Sequence, residues 1–357
     1  FRAVVERYGP NGSFFREHPD VPKRPVLSYQ IWNEPNFQYM YKGDGTNAMI
    51  PVRQKLYAEL LPAAYKMLKG IDENMQVVGW TQANPIKRQF QVNLRNHRKI
   101  LIVDGSEAFA GGLNIGADQV TTAKRQAVRD YHFVFRGPVV NELQYTFLQD
   151  WYFMTDEDPD LLLREKHFAG RDSAGPAMTR VVNGGPNYGH DVLADIFFAA
   201  ITAARREILA VTPYLVPTAD LLRALRCAAL RGVRVRLVLP RHNNHAYAGM
   251  ASRSYYERLL ESGVRIFERE PPFIHAKAFI VDDELAIVGT ANLDVRSLRL
   301  NYETNVAVYD DDFINRLKRI VLEDIGCSRA VDLGQWRKRS LRLRVIENFC
   351  ALLTPIL

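Results

Sequence analysis

The chain is 357 residues long, 47% hydrophobic and 24% charged, with a formal net charge of +7. That length suffices for two domains with a core each, and the composition is ordinary for a globular protein, which excludes a largely disordered chain. The positive balance favours anionic partners, whether a phospholipid surface, nucleic acid or a phosphorylated metabolite, without choosing among them.

The amino-terminal FRAVVERYGP has neither the basic nor the apolar region of a signal peptide and does not begin with methionine, so it reads as an excerpt or a processed chain. Residues 26–32 predict a strand, 52–70 a helix interrupted at Pro62 and closed by Gly70, and 75–79 a second strand, together a βαβ unit. Between 155 and 190 the chain is rich in Asp, Gly and Pro, the composition of a connection, and a boundary between two lobes is expected near 180. The longest strongly apolar run, IFFAAITAA at 196–204, is less than half of what a bilayer crossing needs. The βαβ pattern returns as a strand over 207–215, a helix from Thr218 to about Arg231 and a strand over 232–240, which sets the expected fold class as α/β. Cys227, Cys327 and Cys350 are far apart and form no CxxC pair, so neither a disulfide framework nor a thiolate metal site is expected, and a reducing compartment is the default. The closing QWRKRSLRLRVIENFCALL has basic residues early and Val345, Ile346, Phe349, Leu352 and Leu353 at the spacing of an amphipathic helix. Packing on its own domain is the expectation for it, an anionic membrane the alternative.

An internal repeat carries the chemistry. From His97 the chain reads HRKILIVDGSEAFAGGLN, and 178 residues later, from His275, it reads HAKAFIVDDELAIVGTAN; the gapless alignment has eight identities in eighteen positions. Two strand hairpins with similar turns would explain the shared Ile, Val and Gly, but not the shared His, Lys and Asn. On an extended strand His97 and Lys99 project to one face, as do His275 and Lys277. Asp104 and Asp282, seven positions after their histidines, fall at a turn and are expected to brace it. The glycine-rich returns bring Asn114 and Asn292 forward as donors. Two such sets facing each other would surround one anion with two imidazoles, two ammonium groups and two amides, a constellation suited to phosphodiester exchange without a metal or cofactor. One histidine would attack phosphorus and the other would protonate the departing alcohol. Asp130, 33 residues after His97, and Glu303, 28 after His275, are the carboxylates placed to hold the histidine tautomers.

The twice-occurring pattern HxKxxxxDxxxxxxGxxN resembles the phospholipase D superfamily. The stretches NLRNHRKILIVDG, AFAGGLNIG, VRDYHFVFRGP, IHAKAFIVDD and VGTANLDVRSLRLNYE narrow the likeness to bacterial cardiolipin synthases, over roughly 82–357. The resemblance implies two lobes of mixed sheet flanked by helices, 82–180 and 181–357, and a phosphatidyl transferase that joins two phosphatidylglycerols with loss of glycerol. It makes His97 the nucleophile and His275 the acid/base, and assigns Asp130 and Glu303 to orienting the histidines. The hydroxyl residue that the family has before its asparagine is Gly112 in the first copy and Thr290 in the second. The resemblance also implies an anionic phospholipid partner, no obligatory nucleic acid, and peripheral contact with the cytoplasmic face of a bacterial membrane. Arg296 and Arg299, just after the second motif, are candidates for lipid phosphate.

Residues 1–81 resemble something else. YQIWNEPN looks like the end of the fourth strand of a clan A glycoside hydrolase barrel, with Glu34 as its acid/base, and no later stretch resembles the nucleophile such an enzyme needs. The chain therefore reads as a composite joined near 80–84. Three readings stand at this point: phosphatidyl transfer, phosphodiesterase or nuclease chemistry at the same histidines, and an impaired composite that only binds anionic membrane. Glycosidase activity is not expected.

Overall fold

A computed structural model describes residues 83–84, 89–90, 95–114, 119, 121, 126–155, 157–164, 167–169, 172–189 and 191–353. The strand–helix–strand reading of 26–79, with Glu34, lies outside the described residues. The chain forms two compact units. One comprises Phe1–Val92, Ile100–Phe109 and Phe135–Ser173, the other Asn93–Lys99, Ala110–Val134 and Ala174–Leu357.

In the first unit, β1 (Ala83–Asn84) pairs antiparallel with β2 (Gln89–Phe90). Strands β3 (Ile100–Val103), β4 (Glu107–Gly111) and β5 (His132–Arg136) form a sheet in that order, and the last two run on into the second unit. Helix α1 (Val139–Thr155) packs against β3 and buries Val139, Val140, Leu143 and Leu148. The short α2 (Pro159–Leu162) starts as its sequence dictates: Asp158 caps it by accepting from the Asp160 N–H at 2.9 Å, and proline opens the first turn, where no N–H is needed.

The second unit is built on a mixed eight-stranded sheet. In chain order its elements are β6 (Met178–Gly184), α3 (Val192–Ala203), β7 (Glu207–Val211), β8 (Leu215–Val216), α4 (Ala219–Leu230) and β9 (Arg234–Pro240), then α5 (Ala246–Ser254), α6 (Tyr256–Glu261), β10 (Arg265–Arg269), β11 (Ala278–Val281), β12 (Leu285–Gly289) and β13 (Leu293–Asp294), and finally α7 (Val295–Arg299), β14 (Glu303–Tyr309), α8 (Asp311–Gly326), β15 (Ser328–Ala330), α9 (Leu333–Arg337) and α10 (Leu341–Leu353). The sheet order is β15-β10-β9-β7-β11-β12-β14-β6. Only β10–β9 and β9–β7 are parallel. The central strands EILAV, AFIV and LAIVG are apolar on both faces because both faces are covered. Ile208, Ala210, Leu237, Phe279 and Ile287 join Leu193, Phe197, Leu221 and Leu225 of α3 and α4 in one core. Alternation sends Leu209, Val211, Val238 and Ile280 the other way, and α8, which packs on β7, β10 and β14, buries Ile314, Leu317 and Val321.

The βαβ reading of 207–240 is what forms, with one difference. The strand expected over 207–215 stops at Val211 and resumes as β8, which pairs in parallel with β13 instead; Pro213, with no N–H, interrupts the ladder. The 155–190 segment, read as a connection, contains α2 and the seven-residue β6, which pairs with β14 from Met178↔Tyr309 to Gly184↔Glu303. As an edge strand with polar residues among its valines and Gly and Pro on both sides, β6 looks like a loop in sequence. Among the described residues, no helix is long and apolar enough to cross a membrane.

The amphipathic pattern near the carboxyl end does form a helix, α10. It packs on α5 and buries Glu347, which receives the Arg339 guanidinium at 2.6 Å. Its other face leaves Leu341 (74%), Val345 (59%), Phe349 (59%) and Leu352 (76%) exposed.

Candidate active site

The two histidines, their lysines, asparagines and carboxylate partners all lie in the second unit. Each His-x-Lys lies in the extended segment just before a strand, His97 and Lys99 ahead of β3 and His275 and Lys277 ahead of β11, and all four side chains are buried. Each segment is stitched to another stretch by the same parallel bridge. The His97 N–H donates to the Tyr302 carbonyl at 2.8 Å and the Tyr302 N–H to the Arg95 carbonyl at 2.8 Å. Likewise the His275 N–H donates to the Arg129 carbonyl at 2.8 Å and the Arg129 N–H to the Phe273 carbonyl at 2.9 Å.

Tyr302 and Arg129 are the residues before Glu303 and Asp130, so the bridges carry each carboxylate to the histidine of the opposite copy. His97 Nδ1 lies 2.7 Å from Glu303 Oε2, and His275 Nδ1 lies 2.8 Å from Asp130 Oδ2. With a buried carboxylate at Nδ1 of each ring, Nε2 is the nitrogen left to attack or to exchange a proton. The sequence named both carboxylates; the crossing of partners is visible only in the structure.

The two pairs are built differently. Glu303, fully buried, accepts from the Thr290 hydroxyl at 2.5 Å and from Asn301 Nδ2 at 3.3 Å. Asp130 accepts from the Tyr131 N–H at 2.8 Å, and where the other copy has threonine it faces Gly112, at which even a Cβ would collide with Asp130 Oδ1. Gly111 and Gly289, at φ +155° and +157°, repeat one another: a Cβ at either would run into the neighbouring backbone, of Tyr131 and His132 or of Thr304 and Asn305. Burial by itself would raise the Asp130 carboxyl, but the Lys277 ammonium, His275 and the Tyr131 N–H outweigh it and hold the carboxyl below its ordinary value.

Lys277 donates to the main-chain carbonyl of His275, and its ammonium stands 2.8 and 2.9 Å from the two ring nitrogens. Lys99 donates to the His97 carbonyl at 2.8 Å. Asn292, buried, follows Thr290 at the end of β12, and Asn114, half-buried, stands at the equivalent place after β4. Asp282 sits in the turn after β11 and accepts from the N–H groups of Arg205, Arg206 and Glu207, each at 2.7 Å. Asp104, at φ 52° in the turn after β3, is exposed and belongs to the first unit. Arg299 makes a two-pronged ion pair with Asp191, at 2.7 and 3.1 Å. Arg296 is half-buried; burial, then the neighbouring Arg95, pulls its pKa down.

Sequence reasoning passed over Asp294. Its carboxylate caps α7, accepting from the Ser297 N–H at 2.7 Å, and burial and then nearby Glu303 raise its pKa, against the pull of Ser297, His97 and Asn292. The signal was available in N-x-D-x-x-S, an asparagine followed two places later by a helix cap. Among the described residues, no three or more His, Cys, Asp or Glu are gathered to hold a metal.

Residues 197–325 match the family described as "Cardiolipin synthase, PLD-like domain". A cardiolipin synthase of Geobacillus kaustophilus is 41% identical over 286 residues, 77% of this chain and 55% of that protein. Cardiolipin synthase 2 of Bacillus anthracis is 42% identical over 271 residues, 75% of this chain and 52% of that protein. The chain thus spans about half the length of the curated relatives it matches. In fold it is similar to the phosphatidylserine synthase of Haemophilus influenzae, with a TM-score of 0.61 at 15% identity over 96% of this chain and 85% of that one. The chain is thus similar in sequence to cardiolipin synthases over about three quarters of its length, carries the PLD-like domain match over residues 197–325, and shares its fold with that phosphatidylserine synthase.

Proposed function

We propose that the site transfers a phosphatidyl group from one phosphatidylglycerol to another, giving cardiolipin and glycerol without a metal ion. The observation that carries this reading is the pair of buried histidines, each held at Nδ1 by a carboxylate from the other motif copy. In the first step His97 Nε2 attacks phosphorus, the bond from phosphorus to the glycerol oxygen breaks, and His275 gives that oxygen its proton. In the second step His275 takes the proton from the hydroxyl of another phosphatidylglycerol, whose oxygen attacks phosphorus as the phosphorus–nitrogen bond breaks. Asp130 favours the His275 imidazolium and the Lys277 ammonium opposes it, a balance suited to a group that both gives and takes a proton. Lys99, Lys277, Asn114 and Asn292 serve as donors to the non-bridging oxygens.

The lipid part of the reading draws on the relatives, which are named cardiolipin synthases. Arg296 is kept as a contact for a lipid phosphate, because the charge of Arg95 lies near enough to oppose its own. The exposed apolar face of α10, with Arg342 beside it, is read as the contact with an anionic membrane, on its cytoplasmic side. We retain the division into lobes at 82–180 and 181–357, and read 1–81 as a glycoside-hydrolase-like segment without the second carboxylate that glycosidases need.

The test is incubation with phosphatidylglycerol vesicles, with and without EDTA, and mass spectrometry of the lipids. Cardiolipin formed equally in both supports the proposal. Phosphatidic acid alone would make water the acceptor, and loss of turnover on chelation, restored by Mg²⁺ or Zn²⁺, would overturn metal independence.

A further inference from the structure

Asp324, on α8, lies 49 residues beyond the second motif histidine and is 2% exposed. A lone carboxylate so buried would be costly, and this one is surrounded by donors. It accepts from Arg269 Nε at 2.7 Å, from Arg129 Nε at 3.2 and 3.3 Å, and from the Tyr131 hydroxyl.

Arg129 and Tyr131 flank Asp130 on either side, and the Arg129 main chain is bridged to Phe273 and His275. Arg269 also donates from Nη1 to the carbonyls of Glu270 and Pro272, at 2.9 Å each, in the stretch leading to His275. One carboxylate thus ties down both the segment that carries Asp130 and the segment that carries His275. The His97–Glu303 pair has no need of this, since the Thr290 hydroxyl and Asn301 hold Glu303 directly. Gly112 leaves Asp130 without the corresponding hydroxyl, and the space there is too small to supply one.

We propose that Asp324 is the positioning residue of the His275–Asp130 pair, replacing through Arg129, Tyr131 and Arg269 the direct support that Thr290 gives Glu303. Its catalytic consequence rests on the reading of His275 as acid/base; its geometric consequence does not. The charged groups facing His275 are Asp130 and Lys277, and His132, which senses both Asp130 and Lys99, lies next along the chain. Asp324 pairs with Arg129 and Arg269, so it acts through the segments it anchors.

The experiment compares the parent with Asp324→Asn and with Tyr131→Phe, which removes a single donor and leaves the ion pairs. Phosphatidyl transfer from phosphatidylglycerol is expected to fall about 30-fold in Asp324→Asn and about 3-fold in Tyr131→Phe, while cleavage of bis(4-nitrophenyl) phosphate, whose leaving group needs no proton, stays within about 3-fold of the parent. Equal losses on both substrates in Asp324→Asn would overturn the proposal, because a merely structural role lowers every activity together. Histidine NMR titration needs no substrate and keeps the test open if the parent makes no cardiolipin. The His275 midpoint should move in both variants while that of His97 stays, and an unmoved His275 in a folded Tyr131→Phe would overturn the proposal on its own.

Discussion

Thr290 and Gly112 stand at equivalent places in the two motif copies and make opposite demands on the carboxylate beside them. Thr290→Val keeps the shape but leaves Glu303 one donor short in a fully buried place, a loss of about 1–2 kcal/mol, so transfer should fall roughly 10-fold with little change in the affinity for lipid. Unchanged turnover would remove Thr290 from the support of His97. Gly112→Thr, the symmetric-looking swap, should be far worse, since the new side chain must displace Asp130; near-parental activity would contradict the crowding there. His97→Ala should abolish both product and any acid-quenched phosphoenzyme, whereas His275→Ala should slow an aryl ester much less than phosphatidylglycerol. The residue types of the site were legible in the sequence because a duplicated HxK and Asn can be aligned by eye. Their pairing was not, because it depends on main-chain bridges between segments 206 and 145 residues apart, for which no local pattern exists. Asp324 and Asp294 escaped for a related reason: a lone aspartate in a polar helix or after a strand looks like a solvated charge until its burial is known.

Elements were legible where hydrophobic period and punctuation agreed. The β7–α4–β9 unit has an apolar strand, an amphipathic helix closed before Gly232 and a second apolar strand, and it forms as read apart from the break at Pro213. The edge strand β6 was hidden by its flanks, since nothing local says that β14 will offer it a seven-residue ladder. At the other end of the sheet's logic, Asp282 ties the turn after β11 to the start of β7 through three charge-assisted bonds. Asp282→Ala strands those N–H groups and should cost about 2–4 kcal/mol in urea unfolding; a change under half of that would mean that water replaces the carboxylate. Helix α10 tests the membrane reading. Val345→Glu with Phe349→Glu alters side chains that are mostly in solvent, so thermal stability should hold while co-sedimentation with phosphatidylglycerol vesicles falls at least several-fold. Undiminished sedimentation would move the contact elsewhere.

Across the whole molecule, acid sensitivity has a definite sign. Asp130 and Asp282 both have depressed carboxyls, because their donors outweigh the burial that would raise them. Each therefore contributes stability that is complete above the unfolded carboxyl value, about 3.9, and is lost as pH falls through the lower folded value. Asp294 and Glu347 are raised, chiefly by burial, and work the other way, being relieved as they take up protons above that value. The stability gap between the parent and Asp130→Asn should accordingly narrow as pH falls below about 4. A gap that widened with acid would reverse the assignment. At the amino-terminal end, Glu34→Gln should leave phosphatidyl transfer within a few-fold of the parent, and the parent should not cleave aryl glycosides; cleavage lost in the variant would restore a glycosidase reading. The crossed pairing of His97 with Glu303 and His275 with Asp130 makes the two copies hostages to one another. A gene for either copy alone encodes an imidazole without its carboxylate and a carboxylate without its imidazole, so damage in one copy cannot be masked by the integrity of the other. Duplication here confers no redundancy, and two chains crippled in different copies could restore function only by exchanging segments.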